Sequence, residues 1–158
     1  MGAAARLAGL GLELPEVAPP VAAYVPAVRS GDYVYTSGQL PFVAGALPAT
    51  GKVGAAVSPD DAVGFARTAA LNALAAVAGL LGGGPDALDQ IVRVVKVVGF
   101  VASDPTFTGQ PAVVNGASLL LHEVLGDAGV HARSAVGVAV LPLDSPVEVE
   151  IVVELAKN

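Results

Sequence analysis

Cysteine and tryptophan are absent from this 158-residue chain, and only eight of its residues are Lys or Arg. Without cysteine there is no disulfide, no thiol nucleophile and no thiolate metal site. Nothing points to an oxidising compartment, so the cytoplasm is the expected location. The eight cations stand against 14 acids, a net charge of −6, and they are scattered singly. Phosphate binding needs clustered Lys and Arg, so no nucleic-acid partner is expected. The two histidines, His122 and His131, lack the partner spacing of a metal site and read as surface or rim residues, with no metal expected. Long apolar runs are missing too. Asn72 interrupts the charge-free segment 68–85, and prolines and glycines break up 33–51. Neither offers the ~20 strongly apolar residues that spanning a bilayer requires. Residues 1–15 carry Arg6 and Glu13 and offer no small-residue cleavage site, which fits a short helical or frayed lead-in rather than a signal peptide.

What is abundant is apolar surface: 54% of residues are hydrophobic and only 14% charged. The length suits one domain with a sizeable core. With a membrane span set aside, the excess implies a soluble subunit that hides apolar surface against copies of itself.

The expected elements follow from local chemistry. Residues 21–29, with Pro26 marking an edge, and 33–37 form a hairpin around Ser30-Gly31-Asp32. Ser58-Pro59-Asp60-Asp61 starts a helix that runs to about Leu81, with Phe65, Ala69, Leu74, Ala78 and Leu81 near one face. Gly82-Gly83-Gly84 stops it; these glycines follow a helix instead of joining strand to helix, the wrong place for a phosphate cradle. Residues 91–102 form a valine-rich strand buried on both faces. A helix over 111–125 carries a polar stripe at Asn115, Ser118 and His122. Strands over 135–141 and 147–155 close the chain. In the last, Glu148, Glu150 and Glu154 share one face and the apolar residues the other. The order β-β-α-β-α-β-β predicts an α+β single layer, two helices on one face of a sheet, with the other face left for neighbouring subunits.

Arg133, at the mouth of an apolar strand, needs an anionic partner, because a buried guanidinium without one is costly. Either Glu148 or Glu150 pairs with it, or a bound small molecule supplies the carboxylate. Glu148 is a candidate proton shuttle or water holder, or else part of a solvated strand face. Tyr24 is a candidate pocket wall. Ser37 and Gly38 offer a hydroxyl and an approachable amide where a strand ends, the geometry of an ordinary turn as well.

Taken together, Tyr24-Val25, Tyr35-Thr36-Ser37-Gly38-Gln39-Leu40-Pro41, Val114-Asn115, Ala132-Arg133-Ser134 and Val147-Glu148-Val149-Glu150 closely resemble the RidA family, also called YjgF and, in older usage, endoribonuclease L-PSP. The resemblance covers roughly residues 21–154 and implies a chorismate-mutase-like α+β fold. It implies a homotrimer with ligand sites between subunits and a cofactor-free hydrolysis of reactive 2-imino or 2-enamino acids to 2-oxo acids and ammonia. By position, Arg133 is implied to bind the substrate carboxylate and Glu148 to position water. Ser37 and Gly38 are implied to hold substrate or water, Tyr24 to line the pocket, and Asn115 to contribute from the rim or as a buttress. A Glu148 lying close to Arg133 is expected to have a lowered pKa.

The sequence departs from the family pattern in three places. Ala135 stands where many members carry cysteine. The connection from Leu141 to Glu148 is longer by one residue, which leaves Glu150 as the alternative to Glu148. The lead-in, residues 1–20, precedes the domain over 21–158 and is expected to cover the cleft or the trimer edge. Three functions follow in order: a deaminase, a non-catalytic trimer binding small carboxylates, and a ribonuclease or translation inhibitor, the last opposed by the chain's charge.

Overall fold

In chain order the elements are α1 (Ala3–Gly9), β1 (Ala27–Ser30), β2 (Tyr33–Thr36), α2 (Pro59–Leu80), β3 (Ile91–Ala102), α3 (Gln110–Leu125), β4 (Ala132–Val138) and β5 (Val147–Leu155). The computed structural model describes residues 1–20 and 22–157. Val21, the first residue of the expected hairpin and domain, and Asn158, the last of that domain, lie outside them. The strands form one sheet in the order β1-β2-β5-β3-β4, antiparallel throughout except for the parallel β3–β4 pair. The α+β single layer expected from the sequence is the observed architecture.

The longest helix begins as its sequence dictates. Ser58 Oγ accepts a hydrogen bond from the Asp61 amide at 3.1 Å, Pro59 fills the first turn, and two acids meet the positive end of the helix dipole. Three successive glycines at φ of 112°, 85° and 82° then take the chain away from the helix, a path closed to side chains with a Cβ. The buried stripe of α2 runs along Ala62, Ala66, Ala69, Ala73 and Val77, whereas Phe65 and Leu81 are only partly buried. Small side chains, more than the larger ones expected, set how close the helix lies. By length and composition α2 is apolar enough to cross a membrane, contrary to the sequence expectation, because alanine counts as apolar in bulk. More than half of that stretch is buried inside the fold, as a core helix is.

Helix α3 packs against α2 at Gly116, where any Cβ would overlap the Val63 carbonyl oxygen. Gly116→Ala therefore pits ~1 kcal/mol of helix propensity against a clash with immovable backbone. The clash wins, and a net loss of about 1–3 kcal/mol is expected, read as a lower denaturation midpoint at unchanged slope.

Both helices cover one face of the sheet, burying Val94, Val97 and Val101 of β3 and Val149, Ile151 and Val153 of β5 to 1% exposure or less. The sequence reading of β3 as buried on both faces is corrected here: burial alternates only over residues 97–101, after two register shifts, and Lys96, Val98 and Phe100 turn to the uncovered face at half-burial. Cross-strand register assembles that face into rows. Val28 neighbours Tyr35, which neighbours Val152, and Phe100 lies between Glu148 and Val136. Val28, Tyr35 and Val136 are 44–50% exposed, so apolar side chains lie open there.

Strand β4 begins at Ala132, three residues earlier than expected, because parallel pairing with β3 continues from Lys96↔Ala132 to Ala102↔Val138. Arg133 thus sits inside the edge strand and not at its mouth. The hairpin strand begins after Pro26, since proline cannot donate to a ladder. The long connection before β5 folds as a short 3-10 turn, Pro142–Asp144, with Leu143 and Asp144 at positive φ and Ser145 fully buried, its Oγ donating to the Val147 carbonyl.

Candidate functional site

The structure gathers the predicted site residues into two clusters on opposite faces of the sheet. The first lies under α3. Register pairs Arg133 with Val97, whose buried side chain faces the helices, so the arginine points to that face. Its Nη1 donates to Asn115 Oδ1 at 2.8 Å and to Ser118 Oγ at 3.1 Å, and its Nη2 donates to the Pro111 carbonyl at 2.9 Å. Residues 111, 115 and 118 follow helical spacing, which places all three acceptors along one line of α3.

Those acceptors are neutral. The ion pairs among the described residues are Lys52–Asp144 and Arg67–Glu123, and Arg133 has a part in neither. Pairing with Glu148 or Glu150, one of the two alternatives open from sequence, does not occur within the chain. Nε–H and one Nη2–H are left without a protein acceptor among the described residues, donors of the kind an acid group takes. Ala135, two residues along the same face, packs against the core opposite Gly99.

Ser118 extends this cluster in a way the sequence reading missed. His131 Nδ1 lies 2.6 Å from the Gly129 carbonyl and its Nε2 lies 2.8 Å from Ser118 Oγ. A carbonyl only accepts, so Nδ1 carries the proton and Nε2 accepts from the serine hydroxyl. Ser118 oxygen in turn accepts from Arg133. Burial holds the His131 pKa below its usual value, the Gly129 hydrogen bond works against that, and the Arg133 charge adds to the lowering. A neutral His131 therefore helps fix the guanidinium. The available signal was spacing: His131 stands two residues before Arg133, at the entry to β4.

The second cluster is on the uncovered face. Strand β2 leaves its ladder at Thr36, whose Oγ1 accepts from the Ile151 amide at 3.0 Å, and pairing with β5 resumes at Gln39↔Val149. In the interruption, Gly38 lies directly against the Glu148 carboxyl, where any Cβ would collide with it. The absence of a side chain at Gly38 is what lets the Glu148 carboxyl lie there. Ser37 Oγ donates to the Val25 carbonyl at 2.6 Å and its amide to the Pro26 carbonyl at 2.8 Å. Its hydroxyl hydrogen is thus committed to holding the segment that carries Tyr24. Tyr24 is 43% exposed and lines a recess with Gly38 and Gln39.

Glu148 is half-buried, and burial first, then the neighbouring charge of Glu150, raises its pKa. The expectation of a lowered value is corrected: it presupposed Arg133 nearby, and the arginine lies across the sheet. Contact with Gly38 distinguishes Glu148 from Glu150 on the same strand face.

Comparison with known proteins follows from this geometry. Residues 4–155 match the family described as "YjgF/chorismate mutase-like, putative endoribonuclease". The chain is 44% identical over 155 residues to Protein TCP17 of Trypanosoma cruzi, covering 96% of this chain and 93% of that one. A crystal structure from Agrobacterium tumefaciens is similar at 46% identity and a TM-score of 0.89, covering 98% and 92% of the two chains. Escherichia coli TdcF, solved with bound serine, is more distant: 26% identity, a TM-score of 0.61, and 89% and 94% coverage.

Proposed function

The chain belongs to the YjgF/chorismate mutase-like family, and on that premise we propose that it hydrolyses 2-imino or 2-enamino acids to 2-oxo acids and ammonia. The observation that carries this reading is Arg133, a half-buried guanidinium braced by neutral groups and unpaired with any carboxylate among the described residues. Its remaining donors suit the α-carboxylate of a small metabolite. The serine bound to TdcF is itself an α-amino acid.

Arg133 with Asn115 and Ala135, and Glu148 with Gly38, Ser37 and Tyr24, occupy opposite faces of one sheet. They form one site where the open face of one subunit meets the α3 edge of the next. We place that junction in a homotrimer, which also buries the exposed rows around Tyr35 and Val136.

An imine carbon is already electrophilic, so the reaction needs orientation and a proton relay and no strong nucleophile. Arg133 fixes the acid group. Glu148 takes a proton from water as the water oxygen bonds to the carbon and passes it to the imine nitrogen, giving a neutral carbinolamine. It then takes the carbinolamine hydroxyl proton and delivers it to the same nitrogen as the carbonyl forms, the C–N bond breaks and ammonia leaves. Within the subunit burial raises the Glu148 pKa, and at the junction the neighbour's Arg133 opposes that, which leaves a group able both to take and to give a proton. No cofactor enters this cycle, and the reading places it in the cytoplasm.

The test is ammonia release, measured above the uncatalysed rate, from 2-iminopropionate formed in situ by an amino-acid oxidase, alongside solution sizing. Binding of pyruvate without any rate enhancement would favour the carboxylate-binding trimer. Against the endonuclease suggested by the family description stand the net charge of −6 and the singly scattered cations.

Gly38→Ala displaces the Glu148 carboxyl. It is expected to lower kcat/KM at least about 100-fold, as a misplacement of ~1 Å does, with the thermal midpoint little changed. Equal activity in the variant would remove Glu148 from the reacting centre.

A further inference from the structure

We propose that the cavity behind the Gly38 bend receives the substrate's side chain, and that this side chain is long, apolar and tipped with a hydrogen-bond donor. The inference rests on the deaminase reading of the Glu148 site. The cavity encloses about 650 Å³, within the range of small-molecule sites, and is walled by Pro15, Val17, Pro19 and Phe42. A small recess against Tyr24, Gly38 and Gln39 shares the walls Ala18, Pro19 and Phe42 with it. The recess reaches Gly38, which lies against the Glu148 carboxyl, so an acid whose reacting carbon sits at Glu148 meets this cavity by way of the recess.

Asn72 supplies the polar feature. It is 5% exposed on α2, and its Nδ2 donates to the Leu40 and Phe42 carbonyls at 2.9 and 3.1 Å. Its Oδ1 has no donor among the described residues. Nor is it sealed from solvent, since no fully buried side-chain polar atom there lacks a partner. Asn72 is a wall of the cavity, so this partly open oxygen is the polar feature available there. A buried acceptor facing apolar walls discriminates for a ligand that brings an N–H or O–H, because one without it leaves the oxygen unsatisfied. Glu16 at the wall disfavours an acidic side chain. The lead-in, residues 15–20, thereby becomes a specificity element.

The experiment compares imines generated by an amino-acid oxidase from alanine, phenylalanine, tyrosine and tryptophan, using the full chain. The tyrosine- and tryptophan-derived imines are expected to exceed the alanine-derived one at least tenfold in kcat/KM, with phenylalanine between. Phe42→Ala, which removes a wall, and Ala18→Trp, which fills the cavity from the lead-in, should each cut that ratio at least fivefold. Both leave the Asn72 side chain and the backbone carbonyls it holds in place. Hydrolysis of all four at similar kcat/KM, or a ratio unmoved by both variants, overturns the cavity assignment and leaves the deaminase reading standing. If no imine is hydrolysed, the deaminase reading fails, and calorimetric titration of indole-3-pyruvate against pyruvate decides the cavity. Tighter indole-3-pyruvate binding that Ala18→Trp weakens supports it, and equal or absent binding overturns it.

Discussion

Arg133→Ala is expected to abolish imine hydrolysis while the fold persists. Truncating one partner of a desolvated charge pair costs about 2–5 kcal/mol, roughly 30- to 4,000-fold in kcat/KM at tenfold per ~1.4 kcal/mol. Stability should change far less. Arg133 lies on an edge strand, Asn115 and Pro111 are exposed and return to water, and Ser118 keeps His131. Lysine is no substitute, since a point charge does not hold three acceptors of α3 and an acid group together. The measurements are steady-state kinetics and the denaturation midpoint of the same preparation. Wild-type turnover in the alanine variant would remove Arg133 from substrate binding.

Glu148→Gln is expected to separate activity from stability. Loss of the proton relay should cost about 10²- to 10⁴-fold in rate. Stability of the separated subunit, which has no neighbour's Arg133 at this carboxyl, should rise at neutral pH. Burial, reinforced by Glu150, raises the Glu148 pKa above its ordinary 4.5, so the folded chain binds that proton more tightly than the unfolded chain. The contribution to stability is fully present below pH 4.5 and is lost as pH climbs through the raised folded value. A neutral glutamine escapes the loss. Thermal midpoints of variant and wild type should then differ at pH 7 and converge at pH 4, by an amount moderated because the side chain is half open to water. The wild-type kcat/KM should also rise with pH through the same titration, a limb missing from the glutamine variant. Identical pH profiles for the two proteins would show that this carboxylate does not carry the proton.

Element types were legible because the local signals agree: the Ser58 cap, the triple glycine, the alternation of Val147, Val149, Ile151 and Val153. Boundaries were missed where tertiary pairing decides them. Nothing within residues 132–134 marks them as strand; β3 alongside does so. The buried face of β3 was over-read because valine is as common on its open side as on its closed one. The site residues were legible as a set through resemblance, and their division between two faces was not, because it depends on strand order. The Ser118–His131 link escaped because each residue alone looks like an ordinary polar position. The Asn72 clamp escaped because an amide inside an alanine-rich helix looks like an interruption, while its partners lie 30 or more residues away.

Segregating the arginine and the glutamate onto two sides of one layer has a genetic corollary. A chain crippled at Arg133 still owns a sound glutamate, and one crippled at Glu148 still owns a sound arginine. In the proposed trimer the two inert proteins, co-refolded in equal amounts, should rescue each other, every mixed ring regaining a single working junction. Random assortment then yields about a quarter of the native rate.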